Sequence, residues 1–137
     1  MKKFLLATTA LIATCAVAQA QVATVSTTNA AITGVNANTG LQNATGVTYF
    51  DNDGKTLLML RNNSAAAITA TAVNQQSQIC KDGYGCVPLS NVSFTVPSGT
   101  TVLAGPFPTG RWNTTKGTVG VSLSTPTGVS ATGLRVQ

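Results

Sequence analysis

Histidine and glutamate are both absent from this 137-residue sequence, and its three acidic residues are Asp51, Asp53 and Asp82. General acid–base catalysis usually draws on histidine, glutamate or aspartate, and neither a Ser-His-Asp nor a Cys-His arrangement can be built without histidine. The stretch FDNDGK (50–55) lacks the later bidentate glutamate that a calcium loop requires. The composition therefore predicts a protein that is not an enzyme and that carries no catalytic residue, metal ligand or cofactor.

Clustered positive charge is also missing, although the formal net charge is +5. Lys2 and Lys3 stand together at the N-terminus, whereas the later basic residues are dispersed singly along the chain. A nucleic-acid-binding surface usually shows grouped lysine and arginine with interleaved aromatic residues. We therefore expect no nucleic-acid partner.

Long apolar runs are absent after the N-terminus. The first twenty residues, MKKFLLATTALIATCAVAQA, combine a basic start, a short apolar stretch and a small-residue end, which is the pattern of a secretory signal peptide. It predicts cleavage between Ala20 and Gln21 and an extracytoplasmic location, periplasmic or extracellular. Ordinary cleavage is preferred over lipidation at Cys15, because Thr14 precedes that cysteine. No later segment approaches the roughly 20 apolar residues of a membrane span.

Alternation of apolar and polar residues dominates the rest of the chain. It predicts strands in the runs VTYFD (47–51), AITATAV (67–73), VSFTV (92–96) and TVGVSLS (118–124). Two sets of residues are each expected to face one side, with Val96 and Val121 directed inward: Val92, Phe94 and Val96, and Val119, Val121 and Leu123. TLLMLRN (56–62) is apolar on both faces, as in a central strand. Asp53-Gly54 between two apolar runs predicts a hairpin turn.

This spacing predicts an all-β fold, a single antiparallel β-sandwich of about seven strands, Ig-like or jelly-roll-like. The chain after the leader is long enough for one domain. We assign residues 1–20 to the signal peptide, 21–45 to an extended N-terminal arm or an extra strand, and 46–137 to the sandwich.

Two cysteines remain after removal of the leader, in the stretch CKDGYGC (80–86). Without histidine or a third cysteine they cannot complete a zinc site, and their spacing differs from that of a thioredoxin-type redox motif. In an oxidising compartment we expect a disulfide between Cys80 and Cys86 around a glycine-containing reversal. Tyr84 at the tip is expected to pack over this disulfide, with a role in binding as the alternative.

The stretch GPFP (105–108) and the nearby Trp112 supply two of the few aromatic residues. The prolines hold the backbone extended, which predicts that Phe107 plugs one end of the core and that Trp112 covers it. The alternative is an exposed aromatic platform for carbohydrate.

From about Gly46 onward the sequence resembles small β-sandwich virion proteins of tailed bacteriophages. The similar pieces occur in the same order: NDGKTLLMLRN (52–62), FTVPSGTTVLAGPFPTGRWN (94–113) and VSATGLRV (129–136). The resemblance implies a non-enzymatic subunit, such as a head decoration protein, that binds a capsid or surface lattice through its sandwich surface and forms a homo-oligomer.

The leader and the CKDGYGC insertion depart from that family. They indicate an alternative, an exported binding or adhesive module of a bacterial cell surface.

Overall fold

Strands make up most of the residues that the computed structural model describes, which are 22–30 and 40–136. This confirms the all-β prediction. The strands are β1 (Val22–Val25), β2 (Thr27–Ala30), β3 (Gln42–Asn43), β4 (Val47–Asp51), β5 (Thr56–Asn62), β6 (Ile68–Ala72), β7 (Gln78–Lys81), β8 (Gly85–Pro88), β9 (Val92–Val96), β10 (Thr101–Ala104), β11 (Thr118–Leu123) and β12 (Val129–Val136), and one helical turn, α1, covers Thr109–Trp112. The predicted signal peptide and its cleavage site at Ala20 and Gln21 lie outside the described residues.

Two main sheets form a sandwich. The first has the strand order β1-β4-β11-β6-β9, and the second has the order β10-β5-β12-β2, with β3 also beside β12. A third sheet contains only β7 and β8. The longest ladder pairs β12 with β5, in antiparallel register from Val129 opposite Asn62 to Arg135 opposite Thr56. The described strands number twelve rather than about seven. The additional ones are short and lie outside the runs from which strands were predicted: β1, β2, β3, β7, β8 and β10.

The core lies between the two main sheets and follows the predicted alternation except in β9, where Val92 is 47% exposed and Phe94 is only partly buried. Val96 and Val121, which were assigned to inward faces, are fully buried. From the second sheet, Leu58 and Leu60 project into the same cluster. Burial of each such side chain contributes roughly 1.5–3 kcal/mol, and the core is therefore the main source of stability.

The predicted hairpin at Asp53-Gly54 is wrong, because β4 and β5 belong to different sheets. The turn itself forms as expected: the Asp53 carboxylate accepts hydrogen bonds from the Lys55 N–H (2.9 Å) and the Thr56 hydroxyl (3.1 Å). Gly54 adopts a φ of 89°, which glycine tolerates. The chain crosses from one sheet to the other here, since β4 pairs with β1 and β11 whereas β5 pairs with β10 and β12.

In the described residues of the stretch predicted as an arm or extra strand, three short strands are present. β1 runs parallel to β4, and β2 runs parallel to β12. β3 is antiparallel to β12. The N-terminal segment is thus an edge strand of both main sheets, and it changes sheet at Ser26.

Candidate functional site: the clasped hairpin

Residues 78–88, named here the clasped hairpin, form a two-stranded sheet of their own. A disulfide joins Cys80 of β7 to Cys86 of β8, which are direct cross-strand partners with Cα atoms 4.0 Å apart. The reversal between them depends on Gly83 and Gly85, whose φ angles are 79° and 81°. The predicted pairing of the two cysteines is confirmed. An isolated two-stranded hairpin is marginal in water, and on the chain-entropy model so short a covalent loop stabilises it by about 2 kcal/mol.

Every strand residue of the clasped hairpin is exposed. Ile79 and Val87 are cross-strand partners on one face and are 51% and 64% exposed. Tyr84 at the tip is 83% exposed, so the expectation that it packs over the disulfide is wrong. The Lys81 ammonium lies 5.2 Å from the centre of its ring. The hairpin therefore presents three large apolar side chains to solvent.

The base of the clasped hairpin is fixed to the sandwich by polar contacts. The Arg111 Nη2 donates to the carbonyl of Ser90 at 3.0 Å, and the carbonyl of Arg111 accepts from the Gln75 N–H at 3.0 Å. The Asn74 N–H donates to the Asn91 side-chain oxygen at 2.9 Å. Both chain segments that enter and leave the hairpin are thus attached, and its direction relative to the sandwich is defined.

Arg111 in turn rests on a chain of aromatic rings that reaches the core. Its guanidinium carbon lies 4.5 Å from the Trp112 ring centre. Trp112 contacts Phe107 edge to face at 5.9 Å, and Phe107 contacts Phe50 at 5.5 Å. Phe107 and Trp112 are each only 6% exposed, which confirms the predicted core plug and rules out this pair as an open carbohydrate platform.

The three aspartates of the sequence differ in their surroundings. Asp51 is exposed at the end of β4, and Asp82 lies in the turn of the clasped hairpin. Asp53 forms an ion pair with Arg135 at 3.0 Å. The hydrogen bond from the Lys55 backbone N–H, together with the Thr56 hydroxyl and Arg135, lowers the pKa of the Asp53 carboxyl.

Two further clefts are open to solvent. One, of about 350 Å³, lies beside Tyr49 and is otherwise lined by threonines and Lys116. The other, of about 470 Å³, is lined by the residues Gly54, Lys55, Leu57, Pro106 and Val136. Neither contains a cysteine or an aspartate among its lining residues.

Within residues 22–30 and 40–136, no group of three or more potential metal ligands is present. In that same part of the chain, no helix is long and apolar enough to cross a membrane. A scan against protein-family models found no match, and searches of curated proteins and of solved structures found none either.

The sequence predicted the cysteine pair, but it did not single out the exposed apolar residues beside the cysteines or the arginine at the base of the hairpin. Ile79 and Val87 are adjacent to the two cysteines on opposite sides, and this symmetry could have indicated a shared apolar face. Arg111 had no comparable signal, because its role depends on the proximity of Ser90, which is distant in the sequence.

Proposed function

We propose that this protein is a non-enzymatic structural subunit of the decoration type, which binds a protein assembly such as a capsid or a surface lattice. The proposal is supported chiefly by the clasped hairpin, a projection that is fixed at its base and cross-linked near its tip. The ordered sequence resemblance to tailed-phage virion proteins agrees with it.

The clasped hairpin supplies a contact surface of defined chemistry. Ile79, Val87 and Tyr84 are large, exposed and held on a short rigid support, so little conformational entropy is lost when they are buried against a partner. Tyrosine is also over-represented among residues that dominate binding energy. The matching partner surface is an apolar groove on a protein.

The test is co-sedimentation of the protein with particles from the cells that make it. In the variant Ile79→Ser/Tyr84→Ser/Val87→Ser we expect the particle-bound fraction to fall at least tenfold. The control is Leu103→Ser, because Leu103 is also exposed (56%) but lies on β10 in the second main sheet. Both variants must melt like the wild type. Equal particle binding of the triple variant and the control would refute the hairpin as the contact surface, and absence of the wild type from particles would refute the assembly role.

The second candidate is an exported binding or adhesive module, and the Cys80–Cys86 disulfide favours it because such bonds persist in oxidising compartments. Intact-mass measurement combined with thiol labelling under denaturing conditions tests this candidate. We expect a chain that begins at Gln21 and has no free thiol. Two alkylated cysteines per chain, together with a retained leader, would instead indicate assembly inside the cytoplasm.

A further inference from the structure

Residues 22–30, named here the edge arm, pair with the rest of the protein along the outer edges of two strands. β1 lies parallel beside β4 of the first sheet, and β2 lies parallel beside β12 of the second. At the crossing point, the carbonyl of Ser26 accepts hydrogen bonds from the Gly133 N–H (3.0 Å) and the Thr132 hydroxyl (3.1 Å). The edge arm therefore occupies a receptor made by β4 and β12.

The strands that form this receptor also pair with strands outside the edge arm. The remaining strands of each sheet, β4-β11-β6-β9 and β10-β5-β12, are still contiguous neighbours when β1 and β2 are left out. Among the side chains of the edge arm whose burial is described, residues 23–30, Val25 is the deeply buried apolar one, at 2% exposed. The others in that range are at most partly buried. The edge arm thus binds much as a peptide does, through a backbone ladder and the Val25 side chain.

The chain segment that connects the edge arm to β3 is longer than the distance between their pairing positions on β12. Ala30 pairs with Val136, and Gln42 pairs with Ala131, on the same side of β12. Along β12, the partner positions Ala131 and Val136 are therefore about 17 Å apart, at roughly 3.4 Å per residue. The dozen or so residues from Ala30 to Gln42 can span about 40 Å when extended. The edge arm can therefore reach a receptor on a neighbouring molecule.

We propose that the edge arm is exchanged between copies of this chain, so that Val22–Ala30 of one subunit occupies the β4 and β12 edges of the next. The exchanged contacts are identical to those within one chain, so the local concentration of subunits decides between the two states. The inference rests on the proposed function, because an assembly supplies that concentration. Continued donation from subunit to subunit links copies into a ring or a line.

The test uses two variants with one introduced cysteine each, Ala30→Cys and Val136→Cys, in a Cys15→Ser background that keeps the Cys80–Cys86 disulfide. The two variants are co-expressed and treated with a short bismaleimide. These positions are register partners, so a cross-link between two different chains requires exchange. The control replaces Val136→Cys by Leu103→Cys, which is also exposed but lies on β10, at the opposite edge of the second sheet. In particle-associated or millimolar material we expect at least fivefold more cross-linked heterodimer than in the control.

Heterodimer at the control level, with efficient intrachain cross-linking in the double variant Ala30→Cys/Val136→Cys, would overturn the exchange. The unmodified chain gives a second readout if a variant fails to fold: after incubation at millimolar concentration, dimers should survive dilution into native mass spectrometry, and a purely monomeric population overturns the proposal. Particle co-sedimentation without interchain cross-links would reject the exchange alone, whereas loss of co-sedimentation would reject the proposed function.

Discussion

The sandwich and the clasped hairpin are built on opposite principles within one chain. In the sandwich, residues such as Phe50 and Val119 are fully buried, and removal of apolar surface from water supplies the stability. In the clasped hairpin all strand residues are exposed, and the shape is maintained by the disulfide, the backbone ladder and the contacts at the base. A region whose exposed apolar side chains are not needed for its folding can use those side chains for contact.

The largest effect is expected from a charge placed in the sandwich core. Val121→Asp should remove most of the folding stability, at least about 4 kcal/mol, because an unpaired carboxylate would be buried between the sheets. The matched change in the clasped hairpin, Val87→Asp, should alter stability by no more than about 0.5 kcal/mol. Thermal melting followed by circular dichroism compares the two. A wild-type melting curve for Val121→Asp would show that the inward face is misassigned.

A smaller loss is expected at the junction of the two regions. Phe107→Ala should cost about 3–5 kcal/mol, because it leaves a cavity between Phe50 and Trp112. Since Trp112 supports Arg111, the base of the hairpin should also loosen, with faster hydrogen exchange of the Gln75 amide. Leu103→Ala is the exposed control. Unchanged exchange at Gln75, despite the stability loss, would mean that the hairpin base does not depend on the aromatic rings.

The disulfide should stabilise the hairpin without stabilising the sandwich. In the variant Cys80→Ser/Cys86→Ser, the Leu89 amide, which donates to the Ser77 carbonyl, should exchange about 30-fold faster, as expected for a local loss of about 2 kcal/mol. The Val73 amide, which donates to the Gly120 carbonyl in the first sheet, should be unaffected. An equal acceleration at both amides would show that the two regions unfold as one unit.

The smallest effect concerns Asp53 and pH. Its carboxyl pKa lies below the ordinary value of 3.8, first because of the Lys55 backbone hydrogen bond. A carboxyl whose pKa is lower in the folded state stabilises that state above its unfolded pKa and loses this contribution as pH falls through the folded pKa. The wild type should therefore lose slightly more stability than Asp53→Asn between pH 4 and about pH 2, in urea titrations at each pH. Parallel curves for the two proteins would contradict this assignment.

Alternation between a buried and a more exposed face is a local property of the sequence, and it predicted strands such as β4 and β6. β5 was predicted instead from a run that is apolar on both faces, and most of its residues are buried. The pairing of strands was not predictable in the same way: the Asp53-Gly54 turn reverses the chain, but only distant partners decide that β4 and β5 enter different sheets. β7 and β8 carry no alternation because both of their faces are exposed.

For the clasped hairpin, the sequence predicted the disulfide but not the exposure of the side chains or the contacts at the base. Elimination of zinc and redox functions left a disulfide between Cys80 and Cys86, and the structure contains it. The exposure of Tyr84 could not be inferred, since it depends on how the other described elements are placed relative to the tip. The attachment through Arg111 joins segments that are far apart in sequence, and no local pattern encodes such a contact.

The long ladder between β5 and β12 also has a consequence for the order of folding. β12 lies in the interior of the second sheet, between β5 and β2, and it pairs with residues that are made much earlier. Contacts between such distant segments form slowly, because a large loop must close first. A growing chain therefore exposes the unpaired edge of β5 until residues 129–136 emerge, and chaperones that bind extended apolar strands have that whole interval in which to engage it.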